Sequence, residues 1–240
     1  MNEQDIYYDR REELKEFQKK FPMHSLYMVV YECLKKEIIS CRLAPGVKLK
    51  ELDLADAFDV SRTTIRNAVD TLAGSGLVEL KGRSLRVAPL TRAQYTQLHE
   101  FRRKMDPVAA ALAADRYTKD NLEKLQQYLE DCNADDAEEF LEADSNFHHE
   151  IYVAAKNMFL LKAYDLIDPS RRRINYYSVV SISKSSLWEF SRSKRDRMRD
   201  EHKNILNAIR RADAEEAARL SELHVGSLLF DFDSYEPQSF

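Results

Sequence analysis

Between Leu52 and Leu80 the apolar positions hold a helical period, lose it, regain it and then change to a strand-like one. Leu54, Ala55 and Phe58 recur at helical spacing, Asp59-Val60 interrupts, and Ile65, Ala68, Val69 and Leu72 resume the pattern. The spacing predicts two short helices joined by a tight turn. Ser61 stands where an N-cap is wanted, because its hydroxyl can accept from the free amides of the first turn, so the second helix should begin there. Past Gly74 and Gly76, Leu77 to Leu80 and Leu85 to Val87 read as two short strands around Lys81-Gly82-Arg83-Ser84. A β-hairpin with a basic tip, a wing, is the expectation.

The flanking patterns place this motif. Residues 1–20 are mostly charged, with a weak helical pattern in Leu14 and Phe17, and read as an N-terminal arm, mobile or helical. His24 to Ser40 carries Leu26, Val29, Val30, Cys33, Leu34, Ile38 and Ile39 on helical spacing, and Pro45-Gly46 then turns the chain. After Ala88-Pro89-Leu90 the character changes. Glycine becomes scarce, strand patterns vanish, and amphipathic periods predict helices over 92–116, 119–132, 135–155, 157–180, 187–211 and 214–231. The fold class expected is mainly α: a winged helix-turn-helix over 21–90, followed over 91–240 by an all-α bundle of about six helices, large enough to enclose a pocket.

The first two turns of the helix after Ser61 hold Arg62, Thr63, Thr64 and Arg66, polar positions separate from the buried face. Arginine offers a fork of donors to guanine, threonine a hydroxyl or methyl contact, and the helix N-terminus attracts phosphate. Ser61, Arg62, Thr63, Thr64 and Arg66, with Gly82 and Arg83 of the wing, are therefore candidate contacts to double-stranded DNA. The competing reading is a solvated helical hairpin with surface arginines. The formal net charge of −4 excludes a generally basic nucleic-acid coat. Between Ser61 and Leu90, however, five basic side chains face only Asp70 and Glu79, which suits specific binding with a modest electrostatic component.

Cys33, Cys41 and Cys132 form no CxxC pair and leave an odd count, so no disulfide framework is expected. The first twenty residues lack an apolar signal region and no run approaches membrane-spanning length, so the expectation is a soluble, cytoplasmic protein.

The histidines bring in a second chemistry. Asp144 and His148 are one helical turn apart and face the same way. His202 and His224 stand near opposite ends of two helices joined around Arg211-Ala212-Asp213, and an antiparallel hairpin brings those ends together. Three imidazoles and a carboxylate form a mixed set suited to zinc, nickel, manganese or iron. An Asp and His pair at this spacing is otherwise a common helix-surface interaction, and both readings stay open on spacing alone. His24 and His99 have no companion at ligand spacing, and His149 points away from His148.

The run from Pro45 to Leu80 resembles the winged helix-turn-helix of the GntR family of bacterial transcription regulators. Pro45-Gly46, Leu49, Val60-Ser61-Arg62 and Arg66 carry the likeness. Asp59 stands where the family usually has glycine, Thr64 where proline is frequent, Asn67 where glutamate is common, and Arg83-Ser84 where the wing usually has a second glycine. These departures leave both reading arginines in place and put the detail of the wing contacts in doubt. Leu98, Phe101-Arg102 and Met105-Asp106-Pro107, then Asp144, Phe147-His148, Glu201-His202 and His224, are similar to the FCD domain of the family's fatty-acid-regulator-like branch. The resemblance implies a divalent metal on Asp144, His148, His202 and His224. It also implies an effector arginine at Arg102, whose fork would suit a small carboxylate or sugar acid.

The expected function is a ligand-responsive regulator, a repressor binding a two-fold operator as a homodimer, without catalysis. The alternatives are a metal-dependent enzyme, since three histidines and an aspartate can activate water, and a DNA-binding protein whose metal is purely structural.

Overall fold

A computed structural model describes residues 9–81, 84–134, 136–183 and 188–227. The chain divides into two compact units that meet between Leu90 and Thr91.

The first unit contains α1 (Arg11–Lys20), α2 (Leu26–Ile39), α3 (Glu51–Phe58) and α4 (Arg62–Gly74), with strands β1 (Lys48–Leu49), β2 (Val78–Lys81) and β3 (Ser84–Val87). The strands form an antiparallel sheet in the order β1-β3-β2. Leu85 sits at its centre, paired with Leu49 on one side and Leu80 on the other. Two strands are predicted from the pattern and three are found, because β1 is only two residues long and has no period of its own to read. Val29, Leu34, Ile38, Leu54, Phe58, Ile65, Leu72 and Val87 form one core under the sheet and helices. The turn into α4 takes the expected form. Asp59 is left-handed (φ 53°, ψ 51°), a conformation that Asp tolerates better than most residues, and the following Val60 amide bonds back to the Ala55 carbonyl at 3.0 Å.

Of the N-terminal arm, Arg11–Lys20 is helical and is part of this unit. Leu14 is buried and Phe17 packs against the same core. The Arg10 amide donates to the Ala57 carbonyl at 2.8 Å, and its guanidinium, 1% exposed, lies 5.5 Å from the Phe58 ring centroid. That guanidinium pairs with Glu37 of α2 at 3.6 Å, and Arg42 holds the other Glu37 oxygen at 2.8 Å. Arg10 thereby ties the start of α1 to both α2 and α3.

The second unit is helical: α5 (Arg92–Arg116), α6 (Lys119–Asp131), α7 (Ala137–Ala154), α8 (Met158–Ser183), α9 (Trp188–Arg210) and α10 (Ala214–Ser227). Thr91 and Thr118 start α5 and α6 through reciprocal capping boxes with Gln94 and Asn121, which satisfy amides that the helix itself cannot. α10 lies along α5 and also packs on α9, while α7 sits against α5, α6 and α8. The core is built from small residues of α5 (Ala109, Ala110, Ala113), which let neighbouring helices approach closely, and from Phe147, Tyr164, Ile205 and Ile209. α9 turns into α10 at Arg211-Ala212-Asp213, with Ala212 left-handed (φ 56°) and Asp213 Oδ1 accepting from the Glu216 amide at 3.1 Å. Cys33, Cys41 and Cys132 form no disulfide among the described residues. No helix of the described residues is long and apolar enough to cross a membrane.

Candidate functional site

In the first unit, Ser61 adopts extended geometry (φ −66°, ψ 149°) and its hydroxyl accepts from the Thr64 amide at 3.1 Å, so it caps α4. Arg62, Thr63 and Arg66 are exposed and Thr64 is half-buried, while Ile65, Ala68, Val69 and Leu72 face the core. The polar tip and the packed face are thus separate surfaces of one helix. Arg66 Nη2 lies 3.3 Å from Glu51 Oε2, an exposed pair that leaves the arginine on the surface. Arg86, one of the five basic residues of the local charge excess, donates to the Gly46 carbonyl at 3.3 Å. Gly46 itself has φ +81°, and its amide bonds to the Val87 carbonyl at 3.0 Å. Gly82 and Arg83 lie outside the described residues.

In the second unit, His148 of α7, His202 of α9 and His224 of α10 converge, all buried. The Nε2 atom of His224 lies 3.2 Å from that of His148 and 3.3 Å from that of His202. Asp144 Oδ1 lies 3.8 Å from His148 Nε2 and 3.6 Å from His202 Nε2. Donors placed about 2.0 to 2.1 Å from one cation would stand about 3.3 to 3.4 Å apart in a tetrahedron and about 3.0 Å apart at octahedral right angles. The two imidazole separations fall on that scale, and the two from Asp144 are slightly longer. Among the described residues, Asp144 Oδ1 and His202 Nδ1 are buried without a hydrogen-bond partner, and such a carboxylate oxygen facing ring nitrogens is what a cation would satisfy. The residues fit the group.

The electrostatics keep His148, His202 and Asp144 in the required form. Burial, reinforced by Arg102 and the neighbouring imidazoles, holds His148 well below its ordinary pKa. Burial followed by repulsion from His224 brings His202 down to about 3. Neutral imidazole is the ligating form. For Asp144 burial alone would raise the pKa, but His202, Arg171, His224 and Arg102 outweigh it and hold the carboxyl below its usual range.

Side chains around the four donors fix their orientation. His224 Nδ1 lies 2.8 Å from Glu201 Oε2. Asp144 Oδ2 accepts from Arg171 Nη1 at 3.2 Å and Asn175 Nδ2 at 3.4 Å. Arg102 turns toward Asp106, with Nε and Nη2 at 3.0 and 2.9 Å from Oδ2, while Tyr152 donates to Asp106 Oδ1 at 2.7 Å. His149 is half-buried and lies 3.2 Å from Asp165 Oδ1, away from the cluster. The orienting roles of Glu201 and Arg171 are not assigned by the sequence for one reason: each acts across a helix-to-helix contact, 23 and 27 residues from the ligand it touches.

Residues 26–85 match the model of the bacterial regulatory proteins of the gntR family, and residues 97–227 match the FCD domain. The HTH-type transcriptional repressor RspR of Escherichia coli K12 is 23% identical over 209 residues, which span 85% of this chain and 87% of the relative. The galactonate operon transcriptional repressor of the same organism is 25% identical, over 81% of this chain and 91% of its own length. The solved structure of E. coli McbR/YncC superposes with a TM-score of 0.70 at 21% identity, over 85% of this chain and 95% of that one, a likeness of fold. The winged helix-turn-helix, the six-helix unit and both matching models together make the chain a member of the GntR family of transcription regulators, in the branch with a C-terminal FCD domain.

Proposed function

We propose that the protein is a metal-dependent, ligand-responsive repressor. Its family consists of transcription regulators rather than enzymes, so the metalloenzyme alternative falls away. The observation that carries the metal reading is the meeting of three imidazole Nε2 atoms and one unpaired carboxylate oxygen from three different helices. His148, His202, His224 and Asp144 would hold a divalent cation, with zinc, nickel, manganese and iron all compatible with the donor set. Bound there, the cation supplies a Lewis-acidic point that can take an oxygen of a small carboxylate or sugar acid. Relatives named for the galactonate and gluconate operons support that effector class. Arg102, buried beside the cluster, supplies positive charge toward the same space, with Asp106 and Tyr152 fixing its guanidinium.

On the DNA side, α4 enters the major groove with Ser61, Arg62, Thr63, Thr64 and Arg66 at its leading end. Gly82 and Arg83 are assigned to the wing contact. One such helix reads only a few base pairs, so a homodimer on a two-fold operator supplies the specificity. Effector binding favours the arrangement of the two winged units that fits the operator less well, with a coupling on the order of 1 to 3 kcal/mol. These functions place the protein in the cytoplasm.

Metal analysis of protein purified without chelator, for wild type, His148→Ala and His224→Ala, tests the reading. Near-stoichiometric metal in wild type, lost in both variants, is expected. A wild type that takes up no divalent metal on resupply overturns it. Metal retention with no carboxylate response would leave the cation a purely structural role, which the burial of all three imidazoles favours as the second reading.

A further inference from the structure

The two oxygens of Asp144 have unlike surroundings. Oδ2 is taken by Arg171 and Asn175, whereas Oδ1, without a hydrogen-bond partner, is the one nearest the imidazoles. Arg171 is wholly buried. Its Nε and Nη2 close on Asp168 Oδ1 at 3.1 and 2.9 Å, and its Cζ lies 5.6 Å from the Tyr164 ring centroid. Asp168 is held in turn by Arg172 Nε at 2.8 Å. The guanidinium is therefore clamped at its Nε/Nη2 edge, and Nη1 donates to Asp144.

We infer that Arg171 is a positioning residue for the metal centre, making Asp144 a ligand through Oδ1 alone. The inference rests on the four side chains being a metal site. A carboxylate free to rotate about its Cβ–Cγ bond can bring both oxygens to the cation and fill two coordination positions. One whose second oxygen is committed to a fixed guanidinium fills one position and cannot rotate. The position left over is where an oxygen of an effector would go. Arg171 and Asp168 form a neutral pair, so the arrangement aims the carboxylate without adding net charge beside the cation.

The test compares wild type, Arg171→Lys and the double variant Arg171→Gln/Asp168→Asn, each loaded with cobalt(II) alone. The double variant removes one cation and one anion together, so the buried Asp168 carboxylate is not stranded and the local field changes little. Its visible cobalt absorption should shift and weaken as a second carboxylate oxygen enters the coordination sphere. Cobalt affinity, read by competition with a chromophoric chelator, should fall about 10- to 100-fold, the usual cost of losing such an orienting group. Arg171→Lys, which keeps a cationic donor for Oδ2, should recover most of the wild-type spectrum. A double variant with the spectrum and affinity of wild type overturns the inference while leaving the metal site standing. A wild type that binds no cobalt overturns both.

Discussion

His224 Nδ1 on α10 and Glu201 Oε2 on α9 are 2.8 Å apart, and because a carboxylate only accepts, the ring donates from Nδ1 and presents Nε2 toward His148 and His202. Glu201 is adjacent to His202, so one turn of α9 brings in a ligand and also orients a second ligand on the neighbouring helix. Glu201→Ala should weaken divalent-metal affinity about 10- to 100-fold with an unchanged circular dichroism spectrum. Wild-type affinity in a chelator competition would show that His224 needs no such partner.

Arg10 holds one side of buried Glu37 while Arg42 holds the other. Removing one partner of a buried ion pair costs about 3 to 5 kcal/mol when nothing else remains. With Arg42 still in place, Arg10→Ala should cost about 2 kcal/mol in urea unfolding. A change under about 0.5 kcal/mol, the range of ordinary surface substitutions, would mean that the contact with Glu37 and Phe58 contributes nothing measurable.

Helix capping and base reading on α4 separate by mutation. Ser61→Ala removes a cap and should destabilise the first unit by about 1 kcal/mol. Arg62→Ala and Arg66→Ala, at exposed positions, should leave the thermal midpoint unchanged and abolish specific retardation of operator DNA in a gel shift. Each bidentate base contact is worth about 1 to 3 kcal/mol. Normal operator affinity in both arginine variants would remove α4 as the reading helix.

His99 is buried against Tyr95, with ring centroids 4.4 Å apart. Burial, then repulsion from Arg102, lowers its pKa to about 4 from an ordinary 6.5. Between those values the unfolded chain binds a proton that the folded chain refuses, so stability rises with pH across that window and is lost as pH falls from 6.5 toward 4. His99→Gln should flatten this part of the pH profile of the urea midpoint relative to wild type. Parallel profiles for the two proteins would show that His99 is not protonated on unfolding in this range.

The elements most legible in the sequence are those whose structure is dictated locally. The helices from α5 to α10 follow amphipathic periods, and their ends follow caps such as Thr91 and Thr118 that can be read one residue at a time. The meeting of His202 and His224 is nearly local too, because a tight α9–α10 turn leaves an antiparallel pair as its simplest continuation. What the sequence hides depends on which faces oppose across the fold. Arg171 is indistinguishable from Arg172 in the run Arg171-Arg172-Arg173, yet one is wholly buried on Asp144 and the other reaches out to Glu142. Arg10 is one charge in a charged segment until Phe58 and Glu37 close around it.

That closure bears on how the DNA-binding half can be isolated. A fragment begun at residue 21, where the charged arm invites a cut, would discard Leu14 and Arg10, uncover the core between α2 and α3, and leave Glu37 with Arg42 as its remaining cation. Starting ahead of Arg10 keeps the charged segment that the sequence makes look dispensable, and with it the scaffold that holds α4 in place.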